Sequence, residues 1–202
     1  MVESGIFYGT FIDPVLVKIR KRVSGYITPG QRVIDIACGT GAQVFEMAKK
    51  AEFIMGVDLS PSMIKKANQT KNKHGIKNAN FKICNAAHLA SFAKKEFDVA
   101  TMSLALHQFS PILYPSILNE MKRISKRIII LDYSVPLPKN MAGYASRWAE
   151  FMAGQEHHRN FRKFYKNGGL EAILKENQIT IEKSACFAHD AFQLVVTSAN
   201  EE

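Results

Sequence analysis

Cysteine is scarce, and no Cys-x-x-Cys pair occurs in the 202 residues. Cys38, Cys84 and Cys186 are odd in number and far apart, which excludes a disulfide framework or a zinc knuckle and fits a reducing, cytoplasmic setting. No apolar run approaches the roughly 20 residues that cross a bilayer, and the N-terminus has neither the basic nor the apolar region of a secretory leader, so the chain reads as soluble. Repeats and low-complexity stretches are also missing. Glycine and proline number only 12 and 7 while 47% of residues are apolar, which excludes fibrous and disordered classes. A chain of this length buries roughly 70% of its unfolded surface in one core, so residues 1–202 are expected to form a single domain without staples.

Acidic residues are the minority, 18 Asp and Glu against 27 Lys and Arg, for a formal charge of +9. That balance suits nucleic acid, an anionic membrane surface or an acidic small substrate equally well. The basic residues cluster at 18–22, 65–77, 122–127 and 159–166, mostly on expected helices and loops, where a solvated face is the commoner explanation. A small-molecule partner is therefore preferred to a polynucleotide.

Apolar periodicity alternates between the helical and the strand pattern. Asp13-Pro14 opens a helix with Leu16, Ile19 and Val23 on one face, and Pro29-Gly30 marks the following turn. Residues 32–37 then read as a strand, 42–50 as a helix and 53–58 as the next strand. Ser60 and Pro61 supply a cap and a first turn for a helix carrying Met63, Ile64 and Ala67, which His74-Gly75 ends. Further strands are expected at 81–84, 97–102 and 127–132, with a helix over 111–123 that aligns Leu113, Ile117 and Met121. Strands separated by helices imply right-handed crossovers and a mostly parallel, doubly wound α/β sheet. Residues 134–167 break the rhythm and read as an insertion. A helix from Gly168-Gly169 follows, and the strands at 179–187 and 191–198 are joined too closely for a crossover, so they form an antiparallel hairpin. Cys84 and Cys186, both on expected strands, read as buried inert thiols.

Chemistry concentrates where the first of these strands meets a glycine turn that opens a helix, Val33-Ile34-Asp35-Ile36-Ala37-Cys38-Gly39-Thr40-Gly41-Ala42. A parallel sheet leaves room for a ligand at such a strand end. Gly39 and Gly41 are suited to positive φ and to exposing N–H groups, and the helix start favours an anionic group. Asp35 just before the turn would repel a phosphate but suits a cationic amine. A dinucleotide fingerprint is only partial, since Val44 stands at the third glycine. Asp58 ends the second strand, placed to accept both hydroxyls of a ribose, and Asn85 beyond the third strand offers an amide to an adenine edge. An NAD-dependent oxidoreductase is thus a distant alternative.

VIDIACGTG, GVDLSPSMI, FKICNAAHL, FDVATMSLALHQF and RIIILDYSVP together resemble, in order, the motifs of class I S-adenosylmethionine-dependent methyltransferases. The likeness covers almost the whole chain and is nearest to small-molecule enzymes of the ubiquinone and menaquinone type. It implies a seven-stranded sheet ending in a β-hairpin and S-adenosylmethionine as methyl donor, with S-adenosylhomocysteine as product. By position, it implies that Ala37, Cys38 and Gly39 line the methionine portion, that Asp35 supports its ammonium and that Ser103 contacts the same amino group. It further implies that Asp58 takes the ribose, that Leu59 and Met63 flank adenine, that Asn85 meets its exocyclic amine and the Ala86 N–H a ring nitrogen, and that Tyr8 closes over the cofactor. Asn85 departs from the Asp of many relatives but keeps an acceptor. The proline-rich tetrapeptide of amino-methylating nucleic-acid enzymes is missing, since Met102-Ser103-Leu104-Ala105 stands there.

Methyl transfer from a sulfonium is an in-line displacement that needs alignment and exclusion of water, with a base only for some acceptors. His107 is the candidate base, against a structural imidazole packed at the cofactor edge. Asp132 and Tyr133 face the expected substrate mouth, or else bond their own loop. The insertion offers Trp148, His157, His158, Arg162 and Tyr165 to an acceptor. Trp148, Phe151 and Met152 at helical spacing suit a core stripe better than a ligand wall, and Arg159, Arg162 and Lys163 could hold an anionic head group but suit a solvated face slightly better. His157 and His158 cannot share one helix face, so one is expected in the pocket, and no metal site is expected. The expected activity is methylation of an aromatic, quinol or lipid-like acceptor by a monomer or homodimer. RNA or protein methylation and a non-catalytic cofactor-binding module are the alternatives.

Overall fold

The computed structural model describes residues 13–152 and 154–197. Helix α1 (Asp13–Ser24) leads into β1 (Arg32–Ile36), α2 (Ala42–Met47), β2 (Phe53–Asp58), α3 (Pro61–Lys73), β3 (Ala79–Ile83) and β4 (Phe97–Ser103). Two 3-10 turns, Leu106–Gln108 and Pro111–Leu113, precede α4 (Tyr114–Ile124) and β5 (Ser125–Tyr133). Then come α5 (Met141–Met152), α6 (Gln155–Lys166), α7 (Gly169–Glu176), β6 (Ile181–Phe187) and β7 (Phe192–Thr197). Among the described residues no helix is long and apolar enough to cross a membrane.

The strands form one sheet in the order β3-β2-β1-β4-β5-β7-β6. Strands β1 to β5 run parallel, whereas β7 is antiparallel to both β5 and β6. The hairpin expected from the short link is therefore present, with Ala188, His189 and Asp190 at its turn in the left-handed region. Its second strand inserts beside β5 and leaves β6 at the edge.

Successive residues of a strand point to opposite faces, and both faces of this sheet are covered. Along β1, Val33 packs with Ile19 and Val23 of α1, Val44 and Met47 of α2, and Ile64 of α3. Ile34 and Ile36 point the other way, to Ile117, Leu118 and Met121 of α4 and Leu170, Ile173 and Leu174 of α7. This two-sided burial explains why the strands read as nearly unbroken apolar runs. Ser60 caps α3 by accepting from the Met63 N–H at 3.4 Å.

Three expectations need correction. Met63 does not share the buried stripe of Ile64 and Ala67 but is 43% exposed. Leu113 falls in the 3-10 turn before α4 and is exposed, because the helix proper starts one residue later. Cys186 is exposed, since it lies on the edge strand β6, and Cys84 is only half-buried.

Residues 134–167 contain α5 and α6 rather than strands. Phe161 and Phe164 of α6 join the same apolar cluster as the sheet, and the Asn160 side-chain amide donates to the Gln108 carbonyl at 2.8 Å, tying α6 to the turn after β4. Phe164 is fully buried. Phe164→Ala is expected to cost about 3–5 kcal/mol through lost burial and the cavity left behind, measured by urea denaturation of the two proteins side by side.

Candidate active site

Between β1 and β4 the chain's crossovers change direction, so the loops after these strands diverge and leave a crevice at their C-terminal ends. The loop after β1 is built on backbone bonds. Ala37 turns the chain with φ 57°, and the Cys38 N–H donates to the Val57 carbonyl at 2.9 Å, docking the turn on β2. The Gly39 N–H donates to Asp58 Oδ2 at 2.8 Å, and the Ser60 N–H donates to Asp58 Oδ1 at 2.9 Å. Each carboxylate oxygen is thereby oriented while keeping further acceptor capacity. Gly41 has φ 83°, and a Cβ there would lie 2.7 Å from the Phe81 ring, so only glycine fits. At Gly39 a Cβ would meet nothing within 4 Å, which leaves open space above the turn.

Both glycines take the expected positive φ, but their N–H groups are not exposed. The Gly41 N–H donates to the Cys38 carbonyl at 2.9 Å, as that of Gly39 does to Asp58. The turn thus lacks the row of inward N–H groups that cradles a pyrophosphate.

Asp35 lies beneath this turn, 2% exposed, and pairs across the sheet with Thr101. Thr101 Oγ1 donates to Asp35 Oδ1 at 2.6 Å. Burial raises the Asp35 carboxyl to about 7, opposed by the Thr101 hydrogen bond and assisted by the charge of Asp58. Burial, then the charges of Asp35 and Asp58, also pushes the Cys38 thiol up, so this cysteine stays a neutral lining group. Ser103 ends β4, and its buried hydroxyl has no hydrogen-bond partner among the described residues. The next residue, Leu104, adopts φ 54° and bonds through its N–H to the Leu131 carbonyl at 2.7 Å.

Beyond β2 and β3 the surface turns apolar. Leu59 is 67% exposed and Ile83 51%, and with Met63 they put three large apolar side chains in solvent next to Asp58 in the chain or the sheet. Asn85 is exposed, and its Oδ1 accepts from the Ala87 N–H at 2.9 Å. Ala86 beside it is buried.

At the ends of β4 and β5, His107 and Asp132 form a buried pair. His107 Nδ1 lies 2.6 Å from Asp132 Oδ1, and the His107 backbone N–H donates to Oδ2 at 3.1 Å. The Tyr133 N–H also donates to Oδ1, at 2.8 Å. Asp132 is fully buried and His107 is 1% exposed, so the pair lies beneath the surface at the strand ends. The imidazole sits 4.9 Å from the Tyr133 ring and 6.1 and 6.3 Å from those of Phe161 and Phe164, and Tyr133 stacks on Phe192 at 5.3 Å.

A cavity of about 320 Å³ opens beside α6, lined by Arg147, His158, Phe161, Arg162, Tyr165 and Lys166. It brings together three residues expected to meet an acceptor, His158, Arg162 and Tyr165. His157 is half-buried outside its lining, while Arg159 and Lys163 are exposed, as a solvated face requires. Tyr8 and the side chain of Trp148 lie outside the described residues. Phe161 was among the aromatic residues of the expected cap, whereas Thr101, Arg147 and Lys166 were not singled out as candidates for the site. Thr101 had a visible signal, a polar residue inside the apolar run of β4.

Residues 27–178 match a family model described as a methyltransferase domain. The chain belongs to that family, and its methyl donor is S-adenosylmethionine, which sets aside the NAD-dependent oxidoreductase. It is 31% identical over 184 residues to the uncharacterized methyltransferase sll0829 of Synechocystis sp., covering 87% of this chain and 79% of that protein. It is 30% identical over 112 residues to a demethylmenaquinone methyltransferase of Corynebacterium kroppenstedtii, covering 54% of this chain and 44% of that one, so it spans less than half of this relative's length. Among solved structures, the PH0226 protein from Pyrococcus horikoshii OT3 matches with a TM-score of 0.72 at 18% identity, over 95% of this chain and 92% of that chain.

The raised Asp35 carboxyl makes stability depend on pH. The unfolded carboxyl ionises near 3.8 and the folded one near 7, so stability falls as pH rises between these values and the loss is complete above about 7. Asp35→Asn keeps the acceptor for Thr101 and removes the loss. The melting temperature of the variant is expected to exceed that of the native chain increasingly from pH 5 to about pH 8, and a constant difference would contradict the shift.

Proposed function

We propose that this methyltransferase methylates a small aromatic, quinol or lipid-like acceptor enclosed by residues 134–167 acting as a cap. The observation that carries this reading is the cavity of about 320 Å³ beside α6, where Phe161 and Tyr165 line the space and Phe161 backs onto the buried rings of His107 and Tyr133 at the strand ends. Two aromatic side chains in a cavity of this size suit a flat or isoprenoid body rather than a polynucleotide backbone. The demethylmenaquinone methyltransferase relative supports the same choice.

The residues present fit the methyl donor. Asp58, held by two backbone N–H groups, would accept both ribose hydroxyls, and the open space over Gly39 admits the methionine portion against Ala37 and Cys38. Gly41 lets the turn close on Phe81. Asp35 beneath the turn would be drawn into its charged form by the ammonium, against the burial that raises its carboxyl, and the Ser103 hydroxyl would supply a polar contact to it. Exposed Leu59 and Met63 would sandwich adenine, with Asn85 and the Ala86 N–H at its edge. S-Adenosylmethionine supplies an already electrophilic methyl group on its sulfonium, so the chain's work is alignment and dehydration.

For an acceptor that must lose a proton, we propose His107 as the base, a role that requires the acceptor to reach its buried ring past Phe161. Asp132 holds the proton on Nδ1, which leaves Nε2 as the basic nitrogen, and positions the ring through the His107 backbone as well. Tyr133 and Phe161 confine the imidazole.

Calorimetric titration with S-adenosylhomocysteine tests the donor site. Asp58→Ala is expected to weaken affinity by about 100-fold through loss of two charge-assisted bonds, and unchanged affinity would remove Asp58 from the ribose site. His107→Ala should bind S-adenosylhomocysteine nearly as the native chain does. With the best acceptor from a screen of quinols and phenols, its kcat should fall about 100-fold; turnover that stays intact at every pH would show that His107 is no base.

A further inference from the structure

The cavity beside α6 has a charge pattern that an apolar acceptor alone does not require. His158, Phe161, Arg162, Tyr165 and Lys166 stand at i, i+3, i+4, i+7 and i+8, one stripe of the helix, and Arg147 converges on the same space from α5. Three permanent cations thus line a cavity of about 320 Å³, within the size range of small-ligand sites. Among the described residues, no acidic side chain lines it. Among the described residues, Arg147, Arg162 and Lys166 have no carboxylate partner, and the only acid of α6, Glu156, is exposed at its first turn. The cations share this indentation with Phe161 and Tyr165. Phe161 also touches both His107 and Tyr133, so one ring forms a wall of this cavity and of the ring cluster at the strand ends.

Resting on the acceptor reading above, we propose that this cavity holds a carboxylate or phosphate group of the methyl acceptor, which is therefore an aromatic or isoprenoid anion rather than a neutral quinol. The planar guanidinium groups of Arg147 and Arg162 suit two-oxygen recognition of either anion, and Lys166 adds a point charge. Phe161 and Tyr165 take the adjoining apolar part, directing the remainder of the molecule toward His107.

The test titrates the full chain, saturated with S-adenosylhomocysteine, with 1-naphthol, 1-hydroxy-2-naphthoate and 1-naphthyl phosphate. At least one anionic probe is expected to bind about ten-fold tighter than 1-naphthol or better, and comparing the two anions separates carboxylate from phosphate recognition. The double variant Arg147→Gln with Arg162→Gln should erase that preference, while Lys163→Gln, an exposed cation on the same helix, should keep it. Equal binding of naphthol and the anions overturns the proposal, as does an unchanged preference in a double variant that melts like the native chain. Displacement of S-adenosylhomocysteine by the anions would place them in the donor site and overturn it too. Tighter binding of an oligouridylate that depends on the same two arginines would replace it with a polynucleotide site. Failure of S-adenosylhomocysteine itself to bind would refute the donor reading instead, a result visible before any probe is added.

Discussion

The Asp58 carboxylate is the clasp of this molecule. Gly39 donates to one of its oxygens and Ser60 to the other, so a single side chain at the end of β2 fixes both the loop after β1 and the start of α3. The Cys38 N–H bond to Val57 and the Gly41 N–H bond to Cys38 hold the rest of the turn, and Asp58 adds a side-chain tie from β2 to Gly39. The carboxylate that would receive a ribose is thus the one that shapes the loop beside it. Binding and local architecture are one interaction here.

The two halves of the site are built on different principles. The proposed donor half is made by backbone: left-handed residues at 37, 39, 41 and 104, N–H groups committed to Asp58 and Cys38, and a strand pairing that sets Thr101 against Asp35. The proposed acceptor half is made by side chains carried on two helices, the second held to the sheet by Phe161, Phe164 and the Asn160 amide. Backbone-built sites follow the fold closely, whereas side-chain sites change with each substitution.

This division explains how far the residues could be read without coordinates. Strand β2 was legible to the residue, and the glycine turn announced itself because Gly39 and Gly41 stand between a β-branched strand and a helix. The use of the glycine N–H groups was not legible, because their partners lie across the loop and beyond the next strand. Thr101 became a partner of Asp35 only through the register of β1 against β4. Likewise the cavity needed the relative placement of two helices, which a helical period along α6 does not specify; His158, Arg162 and Tyr165 were visible on their own, but Arg147 was not. Cys186 was misplaced because apolar periodicity does not say which strand ends at the rim.

That rim has a consequence of its own. With β7 drawn in beside β5, the free backbone edge on this side of the sheet belongs to β6, whose middle carries Glu182, Lys183 and Ser184 in solvent and whose pairing with β7 shifts register at Ile181/Lys183. Charged side chains and an irregular ladder are poor templates for another strand. The same chain reversal that completes the sheet therefore also guards it against growing from one molecule into the next.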